Sequence, residues 1–102
     1  VGFTYNNIGI LYKQQQQYEK ALDYYYKGIK IFKKINNTDA KFGIAGTYSN
    51  IGNVYLAQGQ HEKSLKILYE SLKLAEEFDN SYQFAESYQS IGENYMKIGH
   101  QY

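Results

Sequence analysis

The 102-residue chain contains no cysteine, proline, tryptophan or arginine. Lacking cysteine, it can build neither a disulfide framework nor a thiolate-held metal centre. The absence of proline rules out collagen-like and proline-rich linker architectures and removes the commonest chemical stop for a helix. All eleven cationic side chains are lysines, set against ten carboxylates for a net charge of +1. Arginine carries the planar fork that reads guanine edges and clamps phosphates at two points, so its absence argues against a dedicated nucleic-acid or phosphate reader. Uninterrupted apolar stretches run for only a few residues, far short of a membrane span, and no charged-then-apolar leader opens the chain. The expectation is therefore no nucleic-acid partner and no membrane partner.

What is present points to a folded domain. Apolar residues make up 43% and charged residues 21%, too rich in core-formers for a disordered tail. The length suits one domain. The chain opens on Val1, which suggests a piece of a longer protein, and cytoplasmic placement is expected.

Three segments align without gaps around an aromatic, an Ile-Gly pair and a second aromatic. They are Tyr5-x-x-Ile8-Gly9-x-x-Tyr12, Tyr48-x-x-Ile51-Gly52-x-x-Tyr55 and Tyr88-x-x-Ile91-Gly92-x-x-Tyr95, offset by 43 and then 40 positions. A second pattern follows the first two: Tyr18-Glu19-Lys20-Ala21-Leu22 with Tyr25, and His61-Glu62-Lys63-Ser64-Leu65 with Leu68. Large residues recur three and four apart, as in Leu22, Tyr25, Ile29 and Phe32, which is the stripe of a buried helix face. No period-two alternation is sustained. The spacing predicts five helices over about 2–15, 18–35, 39–57, 61–78 and 81–98, grouped as two repeats (about 2–37 and 39–79) and a half repeat (about 81–102). The connections are short enough to make neighbouring helices antiparallel. Asn36-Asn37-Thr38-Asp39 and Asp79-Asn80-Ser81 supply cap and turn chemistry, and Gly59 and Gly99 are expected at turns. The run Gln14 to Gln17 reads as a helix end without chemistry of its own.

Glycine inside a helix costs roughly 1 kcal/mol relative to alanine. The glycines after Ile8, Ile51 and Ile91 are therefore expected to mark close approach of a partner helix, with Ala21 and Ser64 giving matching relief. Most of the 13 tyrosines are expected to fill the remaining wedges with their hydroxyls at the wet edge.

These positions resemble the tetratricopeptide repeat: aromatic-x-x-Leu-Gly-x-x-Tyr is matched by Tyr5, Ile8, Gly9 and Tyr12 and by Tyr48, Ile51, Gly52 and Tyr55, and Ala-x-x-x-Phe by Ala21 and Tyr25 and by Ser64 and Leu68. The closing proline is absent and the period exceeds the usual 34, which resembles the long-helix variety seen in kinesin light chains, Leu-Gly-Asn-repeat adaptors and bacterial peptide sensors. The resemblance implies an all-α, right-handed superhelix of antiparallel helix pairs acting as a protein- or peptide-binding scaffold, with no cofactor and no catalysis. A ligand-sensing segment of a larger signalling protein is the alternative.

First helices should line the inner face, placing Asn7, Asn50, Asn53, Gln89, Ser90 and Glu93 where an extended peptide would lie. Asn7, Asn50 and Ser90 share the slot before the Ile-Gly pair, and the resemblance implies main-chain contacts for Asn7 and Asn50. A clamp for acidic C-termini is not expected, because the slots that would need lysine or arginine hold Asn6, Glu86 and Ser90.

The two histidines, His61 and His100, are read as surface residues near turns; no nucleophile–base pair or metal-ligand spacing accompanies them. Adjacent acids such as Glu76 and Glu77 point apart on a helix and form no dyad. Residues 1–51 carry seven lysines and three acids, and residues 52–102 carry four lysines and seven acids, giving halves of +4 and −3. Lys27, Lys30 and Lys34 are read as a solvated outer stripe. The last helix, bearing Met96, Ile98 and Tyr102, is expected to be uncovered, so that the chain either self-associates through its terminal helices or continues into further repeats of a longer protein.

Overall fold

A computed structural model of the chain describes residues 1–77 and 81–101. Five helices run in order: α1 Gly2–Gln14, α2 Tyr18–Ile35, α3 Thr38–Ala57, α4 His61–Glu77 and α5 Ser81–Gln101. They stack as antiparallel pairs in a body 43 × 30 × 17 Å, with α1 and α5 both touching α3 and α2 and α4 forming the outer layer.

Each turn is built from local chemistry. Gln16 takes φ 61° between α1 and α2, and Gly59 takes φ 75° at the same place between α3 and α4. Both turns close with a backbone bond reaching back five residues, Gln17 N–H to the Tyr12 carbonyl at 2.9 Å and Gln60 N–H to the Tyr55 carbonyl at 2.8 Å. Asn36 ends α2 in the left-handed region, and the Asn37 side chain caps α3 by accepting from the Ala40 N–H at 2.8 Å. Gly99, expected at a turn, lies inside α5, because a single glycine weakens a helix by only about 1 kcal/mol and nothing there stops it. The cluster at 79–81 falls largely outside the described residues.

The core begins where α2 meets α1 and α3. Ala21, Leu22, Tyr25, Ile29, Ile51 and Val54 form one buried cluster, and Phe32, Ala40 and Ile44 a second. Phe3 meets Phe32 edge-on with ring centroids 4.8 Å apart, and Tyr12 stacks on Tyr24 at 5.4 Å. A Cβ at Gly9 would lie 2.5 Å from the Tyr25 ring and one at Gly52 2.6 Å from Leu68, so these glycines are notches for the residue four positions after Ala21 and after Ser64. At Gly92 the expectation of close approach fails: a Cβ would meet nothing within 4 Å, since no described helix covers that side of α5. Tyr25 departs from the wet-edge expectation. It is fully buried, its hydroxyl finds no hydrogen-bond partner among the described residues, and burial pushes its pKa up to about 12.

The two inter-repeat joints differ in kind. At the first, Ala21 faces Val54 in an apolar cluster. At the second, the corresponding positions are Ser64 and Asn94, both fully buried, and the Asn94 amide donates to the Ser64 hydroxyl at 2.9 Å. Ser64 in turn donates to the Gly52 carbonyl at 2.7 Å. Farther along, Ser71 donates to the Ala45 carbonyl at 2.7 Å and lies 3.2 Å from the Ser87 hydroxyl, and Ser49 and Ser87 are 3.5 Å apart. Polar groups buried in pairs satisfy each other, so this seam sets hydrogen bonds beside the apolar contact of Leu68 and Leu72 with Ile91.

Candidate functional site

The inner wall is made by α1, α3 and α5. Where α3 faces α5 it forms a groove of about 260 Å³, whose lining includes Asn53, Gln89, Ser90 and Glu93. Four of the six residues anticipated from sequence thus come together. Glu86 and Glu93 share this groove with Lys13 and Lys97, giving two carboxylates and two ammonium groups around an amide-bearing floor.

The two central asparagines are half-buried and differ in what they can still offer. Asn53 Oδ1 accepts from the Ser90 hydroxyl at 2.7 Å, which leaves its amide N–H groups as donors. Asn50 Nδ2 donates to Asn6 Oδ1 at 3.0 Å, which leaves its carbonyl oxygen as an acceptor. One donor and one acceptor, three residues apart on α3, match the alternating N–H and C=O of a main chain. Asn7 stands apart: it is exposed on α1, while its neighbour Asn6 makes the contact with Asn50. One position along a helix is a turn of 100°, enough to exchange those roles. Ser90, drawn as a surface group by its slot, is buried except where it lines the groove. Ser49 is buried between helices, and Leu56, also buried, reaches the lining of the groove.

Sequence reasoning missed Asn94 and misplaced His61. His61 is not a free surface residue: its Nδ1 lies 3.0 Å from Asn94 Oδ1. Because the Asn94 amide donates to Ser64 and, at 3.1 Å, to the Ser90 carbonyl, its oxygen is the acceptor and His61 Nδ1 the donor. The signal was present in the repeat alignment, where Asn94 falls under Val54 and Ser64 under Ala21. The side chain of His100 lies outside the described residues. Among the described residues no group of three or more His, Cys, Asp or Glu side chains could hold a metal ion, and no helix is long and apolar enough to cross a membrane.

A search of curated proteins finds none that matches this chain. A family model described as tetratricopeptide repeat matches residues 43–101, and a second with the same description matches residues 3–34. The first match spans most of α3 with α4 and α5, and the second most of α1 and α2, so the matched segments fall on the stacked hairpins whose notches at Gly9 and Gly52 set the packing. The chain belongs to the tetratricopeptide repeat family.

Proposed function

We propose that this domain holds an extended peptide along its inner wall. A tetratricopeptide repeat domain is a protein-interaction scaffold, and the finer assignment rests on one observation: Asn53, Gln89, Ser90 and Glu93 line a single groove with lysines and carboxylates at its rim. Asn53 supplies donors and Asn50 an acceptor for the peptide main chain. Gln89 and Glu93, one turn apart on α5, reach side chains. Asn7, on the exposed surface of α1, extends the same contact to a longer ligand. The test is partner recovery by the parent protein carrying Asn50→Ala or Asn53→Ala. At least one is expected to lose most of the partner; unchanged recovery in both refutes the groove.

A ligand-sensing role is favoured by a second observation. Ser90 lines the groove, and its carbonyl accepts from Asn94, the centre of the polar seam. Peptide binding that pulls on Ser90 shifts the balance of that seam. Hydrogen exchange should then slow at Ser64 and Asn94 on peptide addition, and exchange unchanged at both sites would reject the coupling.

Self-association draws on the outer side of α5, where Met96 is 67% and Tyr88 58% exposed beside the open notch at Gly92. A monomeric mass by light scattering at micromolar concentration, with cooperative melting, rules this out.

A further inference from the structure

The outer layer carries a second groove, independent of the inner wall. It lies between α2 and α4 above α3, has a volume of about 350 Å³, and is bounded by Tyr26, Tyr48, Tyr55, Lys63, Lys66 and Ile67. Glu70 is its one carboxylate. Three phenol rings and an isoleucine give it a largely apolar floor. Tyr26 remains 44% exposed although Tyr25 beside it is fully buried.

The polar groups here are nearly all donors. The Tyr26 and Tyr55 hydroxyls lie 3.2 Å apart, so one donates to the other and the pair retains one O–H for a ligand. Burial and the hydrogen bond to Tyr55 raise the pKa of Tyr26 well above that of a free phenol, which keeps the donor protonated. Lys63 holds its ammonium 5.8 Å above the Tyr55 ring, and Lys66 follows one turn later. Continuing along the outer layer, α2 carries five lysines against two acids. A donor-rich, cation-rimmed apolar floor is complementary to acceptors that flank an apolar side chain.

We propose that this outer groove docks an acidic peptide segment that inserts one apolar side chain between Tyr26, Tyr55 and Ile67 and sets its carboxylates against Lys63 and Lys66. The site is separate from the inner wall, so a scaffold of this kind engages two segments at once. The segment is acidic rather than proline-rich, because stacking on phenol rings alone does not call for two ammonium groups on one wall.

Amide shift mapping on the 102-residue chain tests this with three decapeptides: a central leucine flanked by aspartate and glutamate, the same peptide with serine replacing leucine, and an uncharged proline-rich one. The leucine peptide should shift Tyr26, Tyr55 and Ile67, bind at least fivefold more tightly than the serine peptide, and lose tenfold or more in affinity in the Lys63→Glu, Lys66→Glu double variant. Both lysines are exposed, and should that variant fold poorly the wild-type map decides alone. Shifts confined to Asn53 and Gln89, equal binding of the serine or proline-rich peptide, or no binding at millimolar concentration would each overturn the proposal.

Discussion

Replacing Gly52 and Gly92 separately by alanine puts one residue change in two chemically equivalent slots with opposite surroundings. Alanine gains about 1 kcal/mol over glycine in a helix interior, and at Gly92 that gain stands unopposed because the new methyl meets nothing within 4 Å. At Gly52 the methyl would sit 2.6 Å from both Cγ and Cδ2 of Leu68 and 3.4 Å from Ile67 Cγ2. Leu68 is fully buried against Leu72 and Ile91, so it must move by roughly an ångström into atoms that have nowhere to go. Overpacking of this kind costs about 1–3 kcal/mol, which cancels or outweighs the propensity gain. Both variants share the propensity gain, so they should differ by the overpacking cost alone, about 1–3 kcal/mol, with Gly92→Ala above wild type and Gly52→Ala at or below it. For a domain near 100 residues each kcal/mol moves Tm by about 4–8 °C. Thermal melts followed by circular dichroism, at a concentration where all three proteins have the same mass, read the difference directly. A Gly52→Ala variant as stable as Gly92→Ala would refute the notch argument.

Tyr25→Phe removes a buried hydroxyl that lacks a partner, and urea titration should show a gain of about 1 kcal/mol; a loss would mean the hydroxyl is bonded after all. The same residue gives a pH signature. With a folded pKa of about 12 against about 10 unfolded, the phenol ionises first in the unfolded chain, so stability is unaffected by this group below pH 10 and falls by on the order of 2–3 kcal/mol as pH rises through 12. Wild type should lose that much more stability than Tyr25→Phe between pH 10 and 12, and parallel curves would contradict the assignment. At the polar seam, Asn94→Val alone should cost roughly 1–3 kcal/mol by taking a donor from the Ser64 hydroxyl, which keeps its bond to the Gly52 carbonyl, and the acceptor from His61, whereas adding Ser64→Ala reproduces the Ala21–Val54 joint and should recover the Ser64 part of it. Strictly additive effects in that cycle would show that the two side chains do not act together. Asn37→Ala should cost about 1 kcal/mol through loss of the α3 cap, measured in the same titration; no change would mean the cap bond contributes nothing in solution.

Much of the fold was legible because it is periodic. Leu22, Tyr25, Ile29 and Phe32 recur at helical spacing and all four are buried. Asn37 and Gly59 act through local backbone chemistry that a sequence displays openly. Gln16 shows nothing of the sort, since its left-handed backbone hides in a run of identical residues. Gly99 misled because one glycine is a weak stop. At the inner wall, Asn53, Gln89, Ser90 and Glu93 could be grouped by face alone, but the exchange between Asn6 and Asn7 depends on helix rotation, which spacing sets only to within a residue. Asn94 escaped because polar residues are ordinarily placed outside, and its pairing with Ser64 across the joint, together with bonds to His61 and the Ser90 carbonyl, makes its burial affordable.

That pairing gives the two joints different thermal characters. Hydrocarbon contact weakens on cooling, so the Ala21–Val54 joint loses grip toward the freezing point. The Ser64–Asn94 joint sets its hydrogen bonds beside a smaller apolar cluster of Leu68, Leu72 and Ile91, so a lesser share of its grip rests on hydrocarbon and that grip varies less with temperature. In a longer array built from both kinds, cold would loosen one set of hinges and leave the other tight, and the curvature of the whole would change with temperature without any repeat unfolding.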